Sequence, residues 1–311
     1  MALNETQLVK WMKLGMVKGL GPKKIQQLVE ILGSLENVFD AHPSELLSTR
    51  VFKENMLQEW KKLKEASDEN FLKSIRECFA QNIQIVTLID TEYPLKLKRT
   101  PSPPMTLFLW GNTSLLEGEK IAIVGTRQPS DEARKLTFEF SKYFADSGII
   151  IVSGGAEGID TAAHEGALAS EIGKTICALG TGFFHPYPPK NSPLFEKIRK
   201  SNGLLVSEYL PNFSGSRISF IQRNRITSGL SNALFIGASG ETGGSMIQTA
   251  IAWEQRIPIF CPAMTMNIQP NAGIDIAIKK FNAQEVSTPQ ELLKKLGENP
   301  NSLNAYLHQM T

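Results

Sequence analysis

The sequence is poor in cysteine and has no long apolar run. Its three cysteines, Cys78, Cys177 and Cys261, lie far apart, and the last two fall within apolar runs typical of buried strands. This pattern excludes a disulfide framework and fits a reducing compartment. Charged residues interrupt the apolar positions of the N-terminal segment, and no later apolar run approaches the ~18 residues of a membrane span. We therefore expect a cytoplasmic protein without membrane association.

The sequence also lacks a charge of one dominant sign. Lys and Arg number 33 against 31 Asp and Glu, a formal net charge of +2, so a basic surface can come only from local clustering. Residues 209–240 form such a cluster, because they contain no acid but include Arg217, Arg223 and Arg225. Arg223 and Arg225 are predicted near a helix start, where the dipole disfavours cations, so a phosphate backbone is favoured as partner. Alternatively, these arginines pair with distant carboxylates or face solvent.

The length of 311 residues, with 41% hydrophobic residues, favours a main domain with a sizeable core and a smaller attachment. Helical spacing of apolar residues predicts a small all-α domain, of the helix-hairpin-helix or SAM-like type, over residues 1–68. Its Gly19-Leu20-Gly21-Pro22 turn would present backbone N–H groups to a DNA phosphate, assisted by nearby lysines. The alternative is an ordinary helix connection. An α/β domain is predicted over residues 69–290 and a C-terminal tail over residues 291–311. A last helix is predicted over residues 288–296, and it leads into a loosely docked segment over residues 298–311.

From Ile121 onward, short apolar runs alternate with amphipathic segments. This alternation predicts an α/β fold with a doubly wound, mostly parallel sheet covered by helices on both faces. Two earlier strands, at residues 83–88 and 107–110, are expected at the edge of this sheet. The helix that carries the arginines is predicted over residues 221–230.

Glycine-rich segments follow four of the predicted strands: Gly125-Thr126-Arg127, Ser153 to Asp160, Gly180-Thr181-Gly182, and Gly240 to Ser245. Ligands of open parallel sheets bind outside the carboxyl ends of the strands. Glycine lets backbone N–H groups approach an anion, and the following helices point their positive ends at the same crevice. The sequence therefore predicts a phosphate-binding rim. The alternative is that the glycines only serve tight turns.

Catalytic and cofactor motifs are incomplete. Gly173-Lys174-Thr175 enters a strand where a P-loop must enter a helix, and Gly180-Thr181-Gly182 lacks the third glycine of a dinucleotide fingerprint. Asp160 and His164 lie one helical turn apart, but two ligands do not make a zinc site. We expect Asp160 to cap its helix and His164 to pack beside the pocket. No cofactor, metal or catalytic residue is predicted.

The order of motifs along nearly the whole chain resembles the DNA-processing protein A (DprA/Smf) family. The segments that carry the resemblance are Gly19-Leu20-Gly21-Pro22, Tyr93-Pro94-Leu95, Ile123-Val124-Gly125-Thr126-Arg127, Ser153-Gly154-Gly155-Ala156-Glu157-Gly158-Ile159-Asp160, Tyr187-Pro188, Ser207-Glu208-Tyr209, Arg223-Asn224-Arg225-Ile226 and Gly244-Ser245.

This resemblance implies an extended Rossmann-like domain that binds single-stranded DNA without catalytic turnover. It also implies a homodimer that protects incoming or exposed single strands and loads a RecA-type recombinase during natural transformation or recombination. The positions that the resemblance assigns to DNA binding are Gly125, Thr126, Arg127, Ser153, Gly154, Gly155, Ala156, Arg223, Asn224, Arg225, Gly243, Gly244 and Ser245.

The sequence departs from the family pattern in three places. Ile221-Gln222 replaces the usual Pro-x before Arg223, Asn271-Ala272-Gly273 replaces a late Gly-Thr-Asn, and the sequence ends before a winged helix would fit. A defence-associated relative is therefore an alternative. A second alternative, from another class, is a protein that binds or hydrolyses nucleotide-derived small molecules. Its usual Pro-Gly-Gly-x-Gly-Thr-x-x-Glu motif is matched here only by Thr242 to Gln248, without the acid.

Overall fold

The computed structural model describes residues 3–266 and 268–298. The helices are α1 (Glu5–Met16), α2 (Pro22–Leu32), α3 (Leu35–Asp40), α4 (Pro43–Ser48), α5 (Glu54–Glu65), α6 (Glu69–Ala80), α7 (Leu95–Lys98), α8 (Asp131–Asp146), α9 (Ile159–Leu168), α10 (Ser192–Lys200), α11 (Arg217–Gly229), α12 (Gly244–Glu254), α13 (Ala272–Phe281) and α14 (Pro289–Gly297). The strands are β1 (Gln84–Thr87), β2 (Thr106–Gly111), β3 (Lys120–Val124), β4 (Ile150–Ser153), β5 (Thr175–Leu179), β6 (Leu204–Ser207), β7 (Ala233–Ile236), β8 (Ile259–Pro262) and β9 (Gln284–Val286).

The strands form one sheet in the order β1-β2-β6-β5-β4-β3-β7-β8-β9. From β6 to β9 the neighbours are parallel, whereas β1 pairs with β2, and β2 with β6, in antiparallel fashion. Every residue of β3 to β8 is buried, as continuous apolar runs in a sheet covered on both faces require. The predicted α/β, doubly wound and mostly parallel fold is confirmed.

The helices at the N-terminus begin where local sequence signals place them. The Asn4 side chain caps α1 in a capping box with Gln7, and Pro22 opens α2 directly after Gly21. Buried apolar residues of this helical part belong to the same cluster as Leu107 and Leu109 of β2. The helices therefore share a hydrophobic core with one face of the sheet.

Three sequence expectations are corrected here. The helix α11 begins at Arg217, four residues earlier than predicted, because Ser216 caps it and forms a capping box with Ser219. The sequence analysis also missed α13 and β9. The alternating Ile274, Ile276 and Ile278 have the period of a strand, but they lie in α13, where only Ile274 is fully buried.

The C-terminal part is described only as far as residue 298. The helix predicted over residues 288–296 is confirmed as α14, and Leu292, which falls in the segment assigned to the tail, is fully buried in the core. Residues 299–311 lie outside the described part of the chain. Among the described helices, none combines the length and apolar character that crossing a membrane requires.

We predict that Trp11 ties the helical part to the sheet. Its indole Nε1–H donates to the Met105 carbonyl oxygen at 3.0 Å, in a side chain with no exposed surface. Trp11→Phe should lower the free energy of unfolding by about 0.5–1.5 kcal/mol more than Trp60→Phe, because it removes a buried hydrogen bond to the Met105 carbonyl, which keeps its bond from the Leu88 N–H. Trp60 is a matched control, since it lies in the same cluster and its indole makes no hydrogen bond within residues 3–266 and 268–298. Equal losses in urea titrations of the two variants would contradict this role.

Candidate nucleic-acid interface

A cleft of about 790 Å³ opens at the carboxyl edge of the sheet, beside the boundary between β3 and β7. Chain connections run in opposite directions from this boundary, so the loops after β3 and β7 diverge and leave a crevice. The loops after β3 and β7 and the first halves of α11 and α12 line it. Nine of the predicted residues lie in its wall: Gly125, Thr126, Arg127, Ala156, Arg223, Asn224, Gly243, Gly244 and Ser245.

The remaining predicted residues lie elsewhere. Ser153 is fully buried, and its hydroxyl donates to the Ile123 carbonyl at 2.7 Å, so its side chain does not reach the cleft. Gly155 is buried in the same loop, and Gly154 borders a small adjoining pocket. Arg225 is absent from the lining of the cleft. These positions support the cleft from behind or lie to one side of it.

The glycines of the rim fall into two groups. A Cβ on Gly125 would collide with the Ala238 carbonyl and the Ile159 side chain, and a Cβ on Gly155 would collide with Phe195 and Cys177. In these loops, after β3 and β4, internal packing alone requires glycine, as the tight-turn alternative expected. A Cβ on Gly244, by contrast, would meet no protein atom within 4 Å.

The loop before α12 therefore forms the open part of the rim. Gly243 has φ of 120°, which favours glycine, and no side chain caps the start of α12. The Ser245 and Ser239 hydroxyls are 2.8 Å apart, and Ser239 donates to the Gly240 carbonyl at 3.0 Å. These bonds hold the loop so that the positive end of α12 faces the cleft.

Two exposed arginines border the cleft from opposite sides. Arg127 follows β3, and Arg217 opens α11. Within residues 3–266 and 268–298, neither guanidinium makes a hydrogen bond or an ion pair, so both are available to an anion. Since α11 begins at Arg217, the unfavourable dipole that was expected for Arg223 and Arg225 acts on Arg217 instead.

A third arginine, Arg223, lies buried at the base of the cleft. Its guanidinium covers Gly154 so closely that a Cβ there would overlap it. Its Nη1 is 4.0 Å from Oδ2 of Asp160, and its buried Nε has no hydrogen-bond partner in the described chain. Burial lowers the pKa of Arg223 and raises the pKa of Asp160. The donors of Arg223 are therefore only partly satisfied without a ligand.

Asp160 and His164 both have internal roles. Asp160 was expected to cap α9, but Gly158 is the N-cap of this helix. The Asp160 carboxylate instead accepts a hydrogen bond from the Ala156 N–H at 3.2 Å. His164 is fully buried with Nδ1 2.8 Å from Oγ1 of Thr175. Because Thr175 donates its own proton to the Ile151 carbonyl, Nδ1 of His164 is the donor. Burial lowers the pKa of His164 to about 3, so the ring is neutral.

Arg225 is held in a structural ion pair. Its guanidinium contacts Oε2 of Glu208 and the Ser102 carbonyl, and it donates through Nε to the Gln222 carbonyl at 3.2 Å. Burial raises the pKa of Glu208, although the charge of Arg225 opposes this shift. The alternative in which an arginine pairs with a distant carboxylate therefore describes Arg225.

The lining also contains side chains that sequence reasoning did not assign to the site, among them Arg217, Tyr187, Phe220 and Gln248. Arg217 was visible in the acid-free segment but was placed outside the helix. Tyr187 is exposed, with its ring centroid 5.1 Å from that of Phe220. Gln248 is buried and donates to the Asn224 carbonyl at 2.8 Å, which ties α12 to α11.

The helical hairpin before α2 offers less to a phosphate. Its Lys18 N–H donates to the Glu59 carboxylate at 2.8 Å, and the Lys24 ammonium donates to the Gly19 carbonyl at 2.8 Å. A carboxylate therefore already occupies one backbone donor of this turn. Its environment favours the ordinary helix connection over a phosphate site.

Comparisons with known proteins agree with this architecture. A family model described as DNA recombination-mediator protein A matches residues 84–297. Protein Smf of Synechocystis is 33% identical over 294 residues, covering 93% of this chain and 73% of its own, and DNA processing protein DprA of Bacillus subtilis is 33% identical over 219 residues, covering 70% and 73%. The X-ray structure of DNA processing protein A from Streptococcus pneumoniae superposes with a TM-score of 0.77 at 27% identity, over 95% of this chain and 99% of that one. The chain belongs to the DNA recombination-mediator protein A family, which confirms the resemblance to DprA and Smf proteins.

Proposed function

We propose that the protein binds single-stranded DNA in the cleft between β3 and β7. The observation that carries this proposal is Arg223, a buried arginine with an unpartnered donor, flanked by the unpaired Arg127 and Arg217. Three guanidinium groups face one carboxylate in the lining, and that carboxylate, Asp160, already accepts an internal hydrogen bond. Phosphate is the anion that such donors and the open end of α12 fit best.

The other lining residues favour a single strand over a duplex. Tyr187, Phe220, Ile221 and Ile247 place apolar surface beside the arginines. Unpaired bases stack on such surface without regard to sequence, while cations hold the backbone. Structural work on the related DNA processing protein A of Helicobacter pylori describes a single-stranded DNA binding mode, which supports the same ligand here.

We infer that the cleft acts by binding and not by turnover. The small-molecule hydrolase alternative needs a free carboxylate, but Asp160 is the only carboxylate among the residues that line this cleft, and it closes the loop after β4. Within residues 3–266 and 268–298, no group of three or more His, Cys, Asp or Glu side chains is placed to hold a metal ion. The tethered role of Asp160 supports a binding protein.

Protection of exposed strands and delivery to a RecA-type recombinase follow as part of the same proposal. Membership in a recombination-mediator family supports this role, because a mediator must hold single strands until a recombinase takes them. A site that grips phosphates and stacks bases without reading sequence suits that task.

The first prediction separates DNA contacts from structural arginines. Arg127→Gln and Arg217→Gln should each weaken binding of a dT25 strand by about 1–3 kcal/mol, because each loses a charged hydrogen bond. Each should also flatten log K against log salt by about 0.7 per lost phosphate contact. Fluorescence anisotropy over a salt series measures both quantities.

The matched control is Arg225→Gln, which removes the same charge from the same region. It should leave the salt slope unchanged but lower the free energy of unfolding by about 3 kcal/mol, because the largely buried Glu208 carboxylate loses its ion-pair partner. If Arg225→Gln stays as stable as the wild type and flattens the slope as Arg127→Gln does, the assignment of contacts is wrong.

A second prediction concerns the open glycine of the rim. In Gly244→Ala, the added methyl group meets no protein atom but occupies the cleft. The free energy of unfolding should stay equal or rise by up to about 1 kcal/mol, since alanine favours helix, while strand affinity falls several-fold. Gly297→Ala is the control, because it also adds a methyl group in open space, on α14. Unchanged affinity in Gly244→Ala would place the strand away from α12.

A third prediction tests self-association. Trp253 of α12 leaves apolar surface exposed, 49% of the residue, beside α13. We propose that a two-fold dimer covers this face and extends the DNA track. Light scattering at micromolar concentration should give twice the 34.4 kDa of one chain, and Trp253→Glu should halve that mass. A wild-type mass of 34.4 kDa would contradict the dimer.

A further inference from the structure

A second cleft, of about 480 Å³, lies at the opposite edge of the sheet. The residues that precede β7 and β8, Asn232 and Pro258, form its floor, and α7 and the last turns of α11 and α12 form its walls. The first cleft lies at the start of α11 and α12, and the second lies at their ends. The thirteen residues of α11, at 1.5 Å each, separate the two clefts by about 20 Å.

Positive charge is concentrated at this second cleft. No acid occurs between Glu92 and Glu117, whereas Lys96, Lys98 and Arg99 lie in that segment. Lys96 and Arg99 line the cleft together with Arg256, which follows α12, and Glu254 is the only acid in the lining. Within residues 3–266 and 268–298, none of these three cationic side chains makes a hydrogen bond or an ion pair.

Cations near helix ends often serve only to satisfy the last carbonyl groups. Here those carbonyls have other partners. The Gln255 side chain donates to the Arg225 carbonyl at 3.0 Å, and the Ser231 hydroxyl donates to the Thr227 carbonyl at 2.9 Å. At the end of α12, the backbone N–H groups of Arg256 and Ile257 donate to the carbonyls of Trp253 and Ala252. Capping therefore does not explain the three cations.

Two further observations point to a ligand. Arg256 has φ of 59°, a left-handed conformation at a helix end where glycine is favoured, yet an arginine stands there and faces the cleft. Oε1 of Gln255, also in the lining, is buried without a hydrogen-bond partner. The cleft thus offers unpaired cations beside an acceptor that lacks a donor.

We propose that this second cleft binds a phosphate group of a nucleotide unit. Lys96, Arg99 and Arg256 hold the phosphate, and Gln255 accepts a hydrogen bond from the base or sugar. The phosphate has two possible sources, either a strand that continues from the first cleft along α11 and α12, or a free mononucleotide. The strand source rests on the proposed function, whereas the free mononucleotide does not.

The test compares two triple variants of the full chain. Lys96→Gln, Arg99→Gln and Arg256→Gly together empty the second cleft of cations, and glycine suits the backbone at position 256. Lys73→Gln, Lys98→Gln and Arg134→Gln remove the same charge from surfaces outside this lining. Each protein is titrated with dT4, with dT25 over a salt series, and with millimolar dTMP in equilibrium dialysis. Because dT4 carries only three phosphates, even a fully extended strand of this length cannot place phosphates in both clefts.

If the strand supplies the phosphate, the cleft variant loses at least tenfold in affinity for dT25 relative to the control variant. Its salt slope flattens by about 0.7, for the one phosphate that the three cations hold, while dT4 binding matches the control. If a free nucleotide supplies it, dTMP binding falls at least tenfold in the cleft variant only. If the wild type binds neither dT4 nor dT25, the proposed function is contradicted. The dTMP titration then tests by itself whether the second cleft binds a nucleotide phosphate. Equal binding of dT25 and of dTMP by the two variants overturns the proposal.

Discussion

The guanidinium of Arg223 lies buried against the backbone of Gly154, 4.0 Å from the Asp160 carboxylate. This contact brings α11 over the loop after β4, while Asp160 closes that same loop through the Ala156 N–H. One arginine thereby fixes the base of the cleft and keeps a donor without a partner. Because a buried cation is costly when it is only partly compensated, the site is prepared for an anion.

The rim around Arg223 divides into rigid and open parts. Gly125, Gly154 and Gly155 allow close internal packing, so the loops after β3 and β4 act as a fixed frame. Gly243 and Gly244 leave free space at the start of α12, where the ligand has room to approach the backbone. Arg127 and Arg217 project from this frame without partners in the described chain. A rigid frame with exposed donors limits the ordering that binding requires.

Local patterns were sufficient to predict the parallel sheet and the position of the cleft, because continuous apolar runs and strand-end glycines are sequence-local features. The start of α11 was missed because its signal lies in the polar Ser216 and Ser219 and not in apolar spacing. The role of Arg225 depends on Glu208, which only the fold brings within contact. Similarly, the sequence does not distinguish Gly244 from Gly154, since only the packing around each glycine shows which one is open.

The central claim is that the cleft grips the backbone of an unpaired strand. Its most direct test is an equilibrium titration of the full chain with dT25, with a duplex of equal length and with dTMP, over a salt series. We predict that dT25 binds more tightly than the duplex at every salt concentration, that log K falls linearly with log salt, and that dTMP binds far more weakly. Duplex affinity equal to or above that of dT25, or mononucleotide affinity equal to that of the strand, would contradict it.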